Sequence, residues 1–276
     1  MRQMKPQTLI IRTAGINCER ELAHAFTLAG ADVRLIHLNQ LIDDPGPIER
    51  ADVIGFPGGF SYGDDIAAGR ILANRLRHRL MGPIVEAIDR GVPMIGVCNG
   101  FQALVKMGLL PDPTPPPPPP EGQDEGVPRQ RATLADNAGG RFIDRWVRLV
   151  AQPDSVCVWT RGLDRFALPI AHGEGRFVPE SDEALERWRG AGQIALCYAA
   201  DDNPNGSVAD VAGVCDPSGL VLGLMPHPER YTHATNHPNW TRFSPQRLAE
   251  TPAGLRLFQN AVRHAAERST PVAASS

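Results

Sequence analysis

The sequence predicts an α/β fold, a mostly parallel central sheet flanked by helices, with an added antiparallel or mixed section. Short β-rich runs alternate with helical patterns through the first hundred residues, the signature of right-handed βαβ units. Two of those runs end in glycine-bracketed turns, at Gly58-Gly59 and at Cys98, and sites of open α/β sheets lie at such carboxyl ends. Beyond residue 146 the apolar runs become shorter and closer, as antiparallel neighbours require.

Taken in order, Thr8 to Arg12 reads as the first strand, Glu19 to Ala29 as a helix and Asp32 to Ile36 as the second strand. Val53 to Phe56 is a buried strand that runs into Pro57-Gly58-Gly59. Met94 to Val97 is the next strand, and the helix that starts at Cys98 ends near Gly108. Trp146 to Val150, Val156 to Thr160, Gln193 to Tyr198, Val208 to Cys215 and Leu220 to Met225 are the strands expected of the added section. Gly254 to Glu267 repeats Leu255, Phe258, Val262 and Ala265 at helical spacing, so it packs back as the last helix.

Two stretches stand outside this pattern. Residues 111–131 carry the proline run Pro115 to Pro120 followed by charged residues, which favours polyproline II and forbids a sheet ladder. An exposed, poorly ordered inserted loop is expected; the alternative is a ligand for a proline-binding partner. Ser269 to Ser276 reads as a frayed, flexible tail. The whole chain, 1–276, is read as one domain.

Composition narrows the function. With 276 residues and 42% hydrophobic content the chain can bury a full core. A net charge of −3 supplies no basic field, so nucleic acid is not an expected partner. Cys18, Cys98, Cys157, Cys197 and Cys215 are five in number and show no close metal-ligand pair, which suits a reducing cytoplasm and excludes a secreted disulfide framework. No metal is expected. The stretch before Arg12 is too short for a signal h-region, and no run approaches the roughly 20 apolar residues of a membrane span.

The chemistry starts at Gly96-Val97-Cys98-Asn99-Gly100. A strand that turns at once into a helix packs too tightly for a Cβ beside the turn, and the apex residue is left strained. Cys98 is at that apex and at a helix N-terminus, where the macrodipole favours a thiolate nucleophile. The competing reading is a small apolar residue ending a buried strand. A thiolate mechanism needs a histidine to carry the proton and a third group to orient it. Met225-Pro226-His227-Pro228-Glu229-Arg230 supplies both: in an extended stretch His227 and Glu229 point the same way and can hydrogen-bond. Attack on an amide also needs oxyanion donors. The bare backbone around Gly58-Gly59 and the amide of Asn99 are the candidates.

The order diglycine, Cys, His, Glu, with the wording of the motifs, resembles the class I glutamine amidotransferases. Pro57 to Asp64 (PGGFSYGD), Gly96 to Gln102 (GVCNGFQ), Ala171 to Gly175 (AHGEG), Asn205 to Gly213 (NGSVADVAG) and Met225 to Arg230 (MPHPER) resemble more narrowly the glutaminase subunits of phosphoribosylformylglycinamidine synthase. The resemblance runs from about residue 8 to residue 265, and the insertion departs from it.

It implies a flavodoxin-like fold and a Cys98-His227-Glu229 triad that hydrolyses glutamine through a glutamyl thioester, with Gly59 and Asn99 supplying the oxyanion amides. Gly58 and Gln102 would help hold the substrate glutamine. His172 and Gly173 would line its pocket, with a flexible turn or a contact surface for the synthase as the other readings of that segment. The implied partners are the large subunit of the synthase, together with a small accessory one, in the cytoplasm. No cofactor is expected in this chain, and ATP and Mg2+ are expected on the synthase. Two other readings stay open: another class I amidotransferase serving a different acceptor, and a non-catalytic assembly protein of the same fold.

Overall fold

The computed structural model describes residues 5–113 and 129–268. The proline run 115–120 and the tail 269–276 lie outside them. The strands are β1 (Gln7–Arg12), β2 (Asp32–His37), β3 (Val53–Phe56), β4 (Met94–Val97), β5 (Ala132–Asp136), β6 (Ile143–Ala151), β7 (Arg165–His172), β8 (Glu174–Pro179), β9 (Ile194–Tyr198), β10 (Val211–Cys215) and β11 (Val221–Leu224). The helices are α1 (Glu19–Leu28), α2 (Leu38–Asp43), α3 (Gly46–Glu49), α4 (Arg70–Asp89), α5 (Asn99–Met107), α6 (Asp182–Gly190), α7 (Pro245–Ala249) and α8 (Ala253–Arg268).

Nine strands form one sheet in the order β2-β1-β3-β4-β11-β10-β9-β6-β7, and β5 pairs with β8 in a second, two-stranded sheet. Pairing is parallel from β2 through to β11 and antiparallel from β11 through to β7. Helical crossovers join the consecutive parallel strands β1 to β4, and the short turn after Cys215 joins antiparallel β10 and β11. β4 is therefore central, between β3 and β11, and the three strand ends come together.

Burial decides which runs become strands. β3, β4 and β11 are buried at every residue, so they show no alternation. Phe26 of α1 stacks edge-on against Phe258 of α8, with ring centroids 4.9 Å apart, and against Trp159 at 6.3 Å. The strand expected over Val156 to Thr160 is a series of turns instead. Val156 and Val158 donate to Gly192 and Gly219 on separate loops, while Trp159 is wholly buried and bonds the Leu220 carbonyl at 2.8 Å. Val208 to Asp210, expected as the start of a strand, forms a 3-10 turn before β10. Pro111, placed in the exposed insertion, is buried, and its carbonyl accepts from Gln193. Among the described residues no helix is long and apolar enough to cross a membrane.

Candidate active site

Cys98 follows β4 directly and is the N-cap of α5, with φ 51° and ψ −105°. Backbone in this region is strained for any residue with a Cβ, and such strain clusters at functional sites. The flanking glycines make the turn possible. A Cβ on Gly100 would lie 2.0 Å from the Phe56 carbonyl oxygen, and one on Gly96 would lie 2.6 Å from Leu104 and 2.8 Å from the Gly100 backbone. The elbow thus brings α5 against the end of β3.

His227 follows β11 and is 1% exposed. Its Nδ1 donates to Glu229 Oε1 at 2.6 Å, and its backbone amide donates to Pro169 of β7 at 2.8 Å. The expected extended backbone between the two is replaced by a 3-10 turn over Pro228–Arg230. Proline suits that turn, because its fixed φ is already helical and its missing donor is not needed there. Burial alone would depress the imidazole, but the Glu229 charge and the neighbouring Cys18, Cys98 and Glu229 side chains outweigh it and raise its pKa well above the ordinary value. His227 Nε2 and Glu229 Oε2 are buried with no hydrogen-bond partner among the described residues.

The diglycine closes the site from the side of β3. Gly59, at φ 140°, pairs with Ile16, and a Cβ on it would meet the backbone of residues 15–17 at 2.7 to 2.9 Å. Gly58 is not among the residues that line the cavity. It is wedged behind the reactive groups, where a Cβ would lie 2.9 Å from His227 Cε1 and 3.4 Å from Cys98 Cβ.

Asn99 is fully buried and begins α5, so its amide is among the donors that a helix N-terminus leaves free. Its side chain ties the neighbouring loop to α5: Oδ1 accepts from the Ser61 amide at 3.2 Å, and Nδ2 donates to Asp64 at 3.0 Å and Gln102 at 3.1 Å. Tyr62, Gly63 and Asp64 all have positive φ. Asp64 holds this strained turn by accepting from the Gly69 amide at 3.1 Å, and burial raises its pKa against the lowering effect of those bonds.

Cys98, Gly59, Gln102, His172, Gly173 and His227 line one cavity of about 320 Å3, a size suited to a small ligand. Gln102 spends both ends of its amide inside the protein, donating to the Glu174 carbonyl and accepting from Asn99. It faces the cavity while fixing one wall. His172 ends β7 with Nδ1 3.0 Å from Asn137 Oδ1, and burial together with the charge on His227 lowers its pKa to about 4. A Cβ on Gly175 would fall 2.2 Å from the His172 ring, so that ring fills the corner between β7 and β8.

Comparison with known proteins decides the family. The sequence pattern of CobB/CobQ-like glutamine amidotransferase domains matches residues 5–265. The phosphoribosylformylglycinamidine synthase subunit PurQ of Dehalococcoides mccartyi is 42% identical over 95% of this chain and 98% of its own length. This chain belongs to the PurQ family of glutamine amidotransferases. A second PurQ, from Treponema denticola, is 40% identical over 82% of this chain and 88% of its own. Among solved structures, PurLQS from Thermotoga maritima aligns with a TM-score of 0.69 and 30% identity, over 95% of this chain and 99% of that one. Another glutamine amidotransferase from Thermotoga maritima, at TM-score 0.52 and 15% identity over 96% of this chain and 99% of that one, shares the fold.

Within this PurQ-family site, the structure adds residues that motif reading did not single out. Cys18 precedes α1, is 2% exposed and lines the same cavity as Cys98. Arg230 Nη2 donates to its sulfur at 3.2 Å, while Arg230 Nε reaches Glu21 at 3.1 Å. Asn137 holds His172, and Glu174 accepts from the Ala68 amide at 3.3 Å. Arg230 and Glu174 stand inside the MPHPER and AHGEG motifs with no role assigned to them, and Cys18 and Asn137 belong to no motif whose spacing announces chemistry.

Proposed function

We propose that this chain hydrolyses glutamine to glutamate and ammonia and delivers the ammonia to a synthase partner, which converts formylglycinamide ribonucleotide to formylglycinamidine ribonucleotide with ATP. The observation that carries the reading is the left-handed Cys98 elbow in one cavity with the buried His227–Glu229 pair. Family membership supports the reaction, and the name of the Thermotoga maritima PurLQS structure supports a complex of several chains.

In this reading the Cys98 thiolate attacks the side-chain amide carbon of glutamine. The amides of Gly59 and Asn99 stabilise the oxyanion. His227 carries the proton to the departing ammonia, leaving a glutamyl thioester, and then takes a proton from the water that hydrolyses it. Glu229 holds the imidazole in the tautomer with Nδ1 protonated and stabilises the imidazolium. ATP and Mg2+ belong to the synthase partner, a small accessory protein completes the complex, and the setting is cytoplasmic.

The test is Cys98→Ala in the complex reconstituted with the synthase partner that co-purifies. Glutamine-dependent synthesis should fall on the order of 10³-fold or more, while ammonia-dependent synthesis stays within about twofold. Surviving glutaminase activity removes Cys98 from the mechanism. Loss of the ammonia-dependent reaction as well removes the division of labour.

A further inference from the structure

Cys18 lines the cavity and has no role in the mechanism proposed above. One donor atom each from Cys18, His227 and Glu229 lie within 4.8 Å of one another, and all three residues are buried. A further observation points to a ligand: Glu229 Oε2 is buried without a hydrogen-bond partner among the described residues. Cys18 and His227 both line the cavity.

We propose that Cys18, His227 and Glu229 capture a borderline-soft divalent cation, zinc by preference, and that capture switches the triad off. Sulfur, imidazole and carboxylate are a donor set that suits zinc, with water in the fourth position. Glu229 contacts the ring at Nδ1, so a metal that uses both enters on that side. Two ligands of tetrahedral zinc stand about 3.3 Å apart. The Nδ1–Oε1 pair, at 2.6 Å, therefore opens by less than about 1 Å, and Cys18 closes by a similar amount. Metal capture displaces Arg230 Nη2 from the sulfur it bonds at 3.2 Å; Arg230 is only part-buried and keeps its second partner, Glu21, at the surface.

The Cys18 thiol proton and the Nδ1 proton of the His227 imidazolium pass to solvent as the metal binds, and the Nε2 proton stays in place. With Nε2 protonated and Nδ1 on the metal, His227 no longer accepts a proton from Cys98. Cys98 itself is not a ligand, which separates this site from a metal trapped by the catalytic thiol.

The probe is Co2+, whose thiolate charge-transfer absorption reports sulfur ligation in the full-length chain without reference to activity. Wild type and Cys98→Ala should both show the band at one equivalent, with dissociation constants within about threefold of each other. Cys18→Ala should lose the band and bind about 10- to 100-fold more weakly. Cys18→Ser, closer in size, guards against a packing defect and should behave like Cys18→Ala. In the complex, Zn2+ should inhibit glutamine hydrolysis reversibly by chelation, and Cys18→Ser should raise the inhibitory concentration at least about tenfold. A band lost in Cys98→Ala and kept in Cys18→Ala overturns the proposal, as does the absence of any band. Because the band is independent of turnover, either outcome leaves the glutaminase reading to its own test.

Discussion

Gly58 lies against His227 so closely that a Cβ added to it would stand 2.9 Å from Cε1 of the imidazole. The ring has little freedom to back away, because Glu229 holds its Nδ1 and the Pro169 carbonyl fixes the His227 backbone amide. Gly58→Ala should therefore shift the proton carrier rather than unfold the protein. The expected loss is at least about tenfold in kcat for glutamine hydrolysis, since ångström-scale misplacement has large kinetic effects, with a melting temperature lowered by only a few degrees. Gly59→Ala should show the reverse balance, because φ 140° and backbone atoms at 2.7 to 2.9 Å oppose a side chain there. Equal effects on stability at the two positions would contradict this assignment.

The Glu229 charge favours the protonated form of His227 against the depressing effect of burial. Glu229→Gln removes that charge, so the limb of the kcat/KM profile governed by His227 should move to lower pH. Activity should fall less than in His227→Ala, in which the proton carrier itself is gone. A pH–rate profile of both variants checks this, and an unmoved limb would count against electrostatic coupling between the two.

His172 is buried and neutral, with its pKa lowered from the usual 6.5 to about 4. Its contribution to stability is complete above pH 6.5 and is lost as pH falls towards 4, because the unfolded chain takes up the proton first. The loss amounts to at most about 3 kcal/mol. His172→Gln should flatten the stability curve between pH 6.5 and 4 relative to wild type. Denaturant titrations at several pH values check it, and parallel curves would refute it.

The insertion is bounded by residues that meet: Arg131 lies 3.8 Å from Asp112 and pairs with Glu180 at 3.1 Å. Replacing Pro113 to Gln130 by a short Gly-Ser link keeps both flanks, and loop-closure entropy changes slowly with length. Melting temperature should stay within a few degrees, and glutaminase activity should be nearly unchanged in the isolated chain and in the complex. Loss confined to the complex would make the insertion a docking element.

The centre of the parallel half is legible because β3 and β4 are uniformly apolar, short and punctuated by Pro and Gly, as at Val53 to Gly59 and Met94 to Gly100. The triad is legible for a related reason: an elbow and a His-x-Glu pair each need particular residues at fixed spacing. What escapes reading depends on distant partners. Trp159 is placed by the Leu220 carbonyl and by Phe26, so its neighbours look like a strand and are not one. Cys18 is drawn to the site by contacts with Arg230, 212 positions away. The 20-residue α4 receives no assignment from sequence because Gly82 and Pro83 interrupt its pattern. Its buried Leu72, Leu76, Leu80 and Ile84 nevertheless recur at every fourth position.

Glu174 fastens three parts of the molecule at one corner: its carbonyl holds Gln102 of the nucleophile's helix, its carboxylate holds the Ala68 amide beside exposed Ile66, and its own backbone starts β8. The outer segment around residue 66 is therefore joined by hydrogen bonds, through one residue, to the helix that carries the elbow. Thermodynamic reciprocity fixes the converse. If a molecule seated on that segment tightens glutamine binding by some factor, glutamine tightens its seating by the same factor. Such coupling would make the occupancy of the cavity readable from outside, as a change in affinity for a molecule resting on residues 65–68.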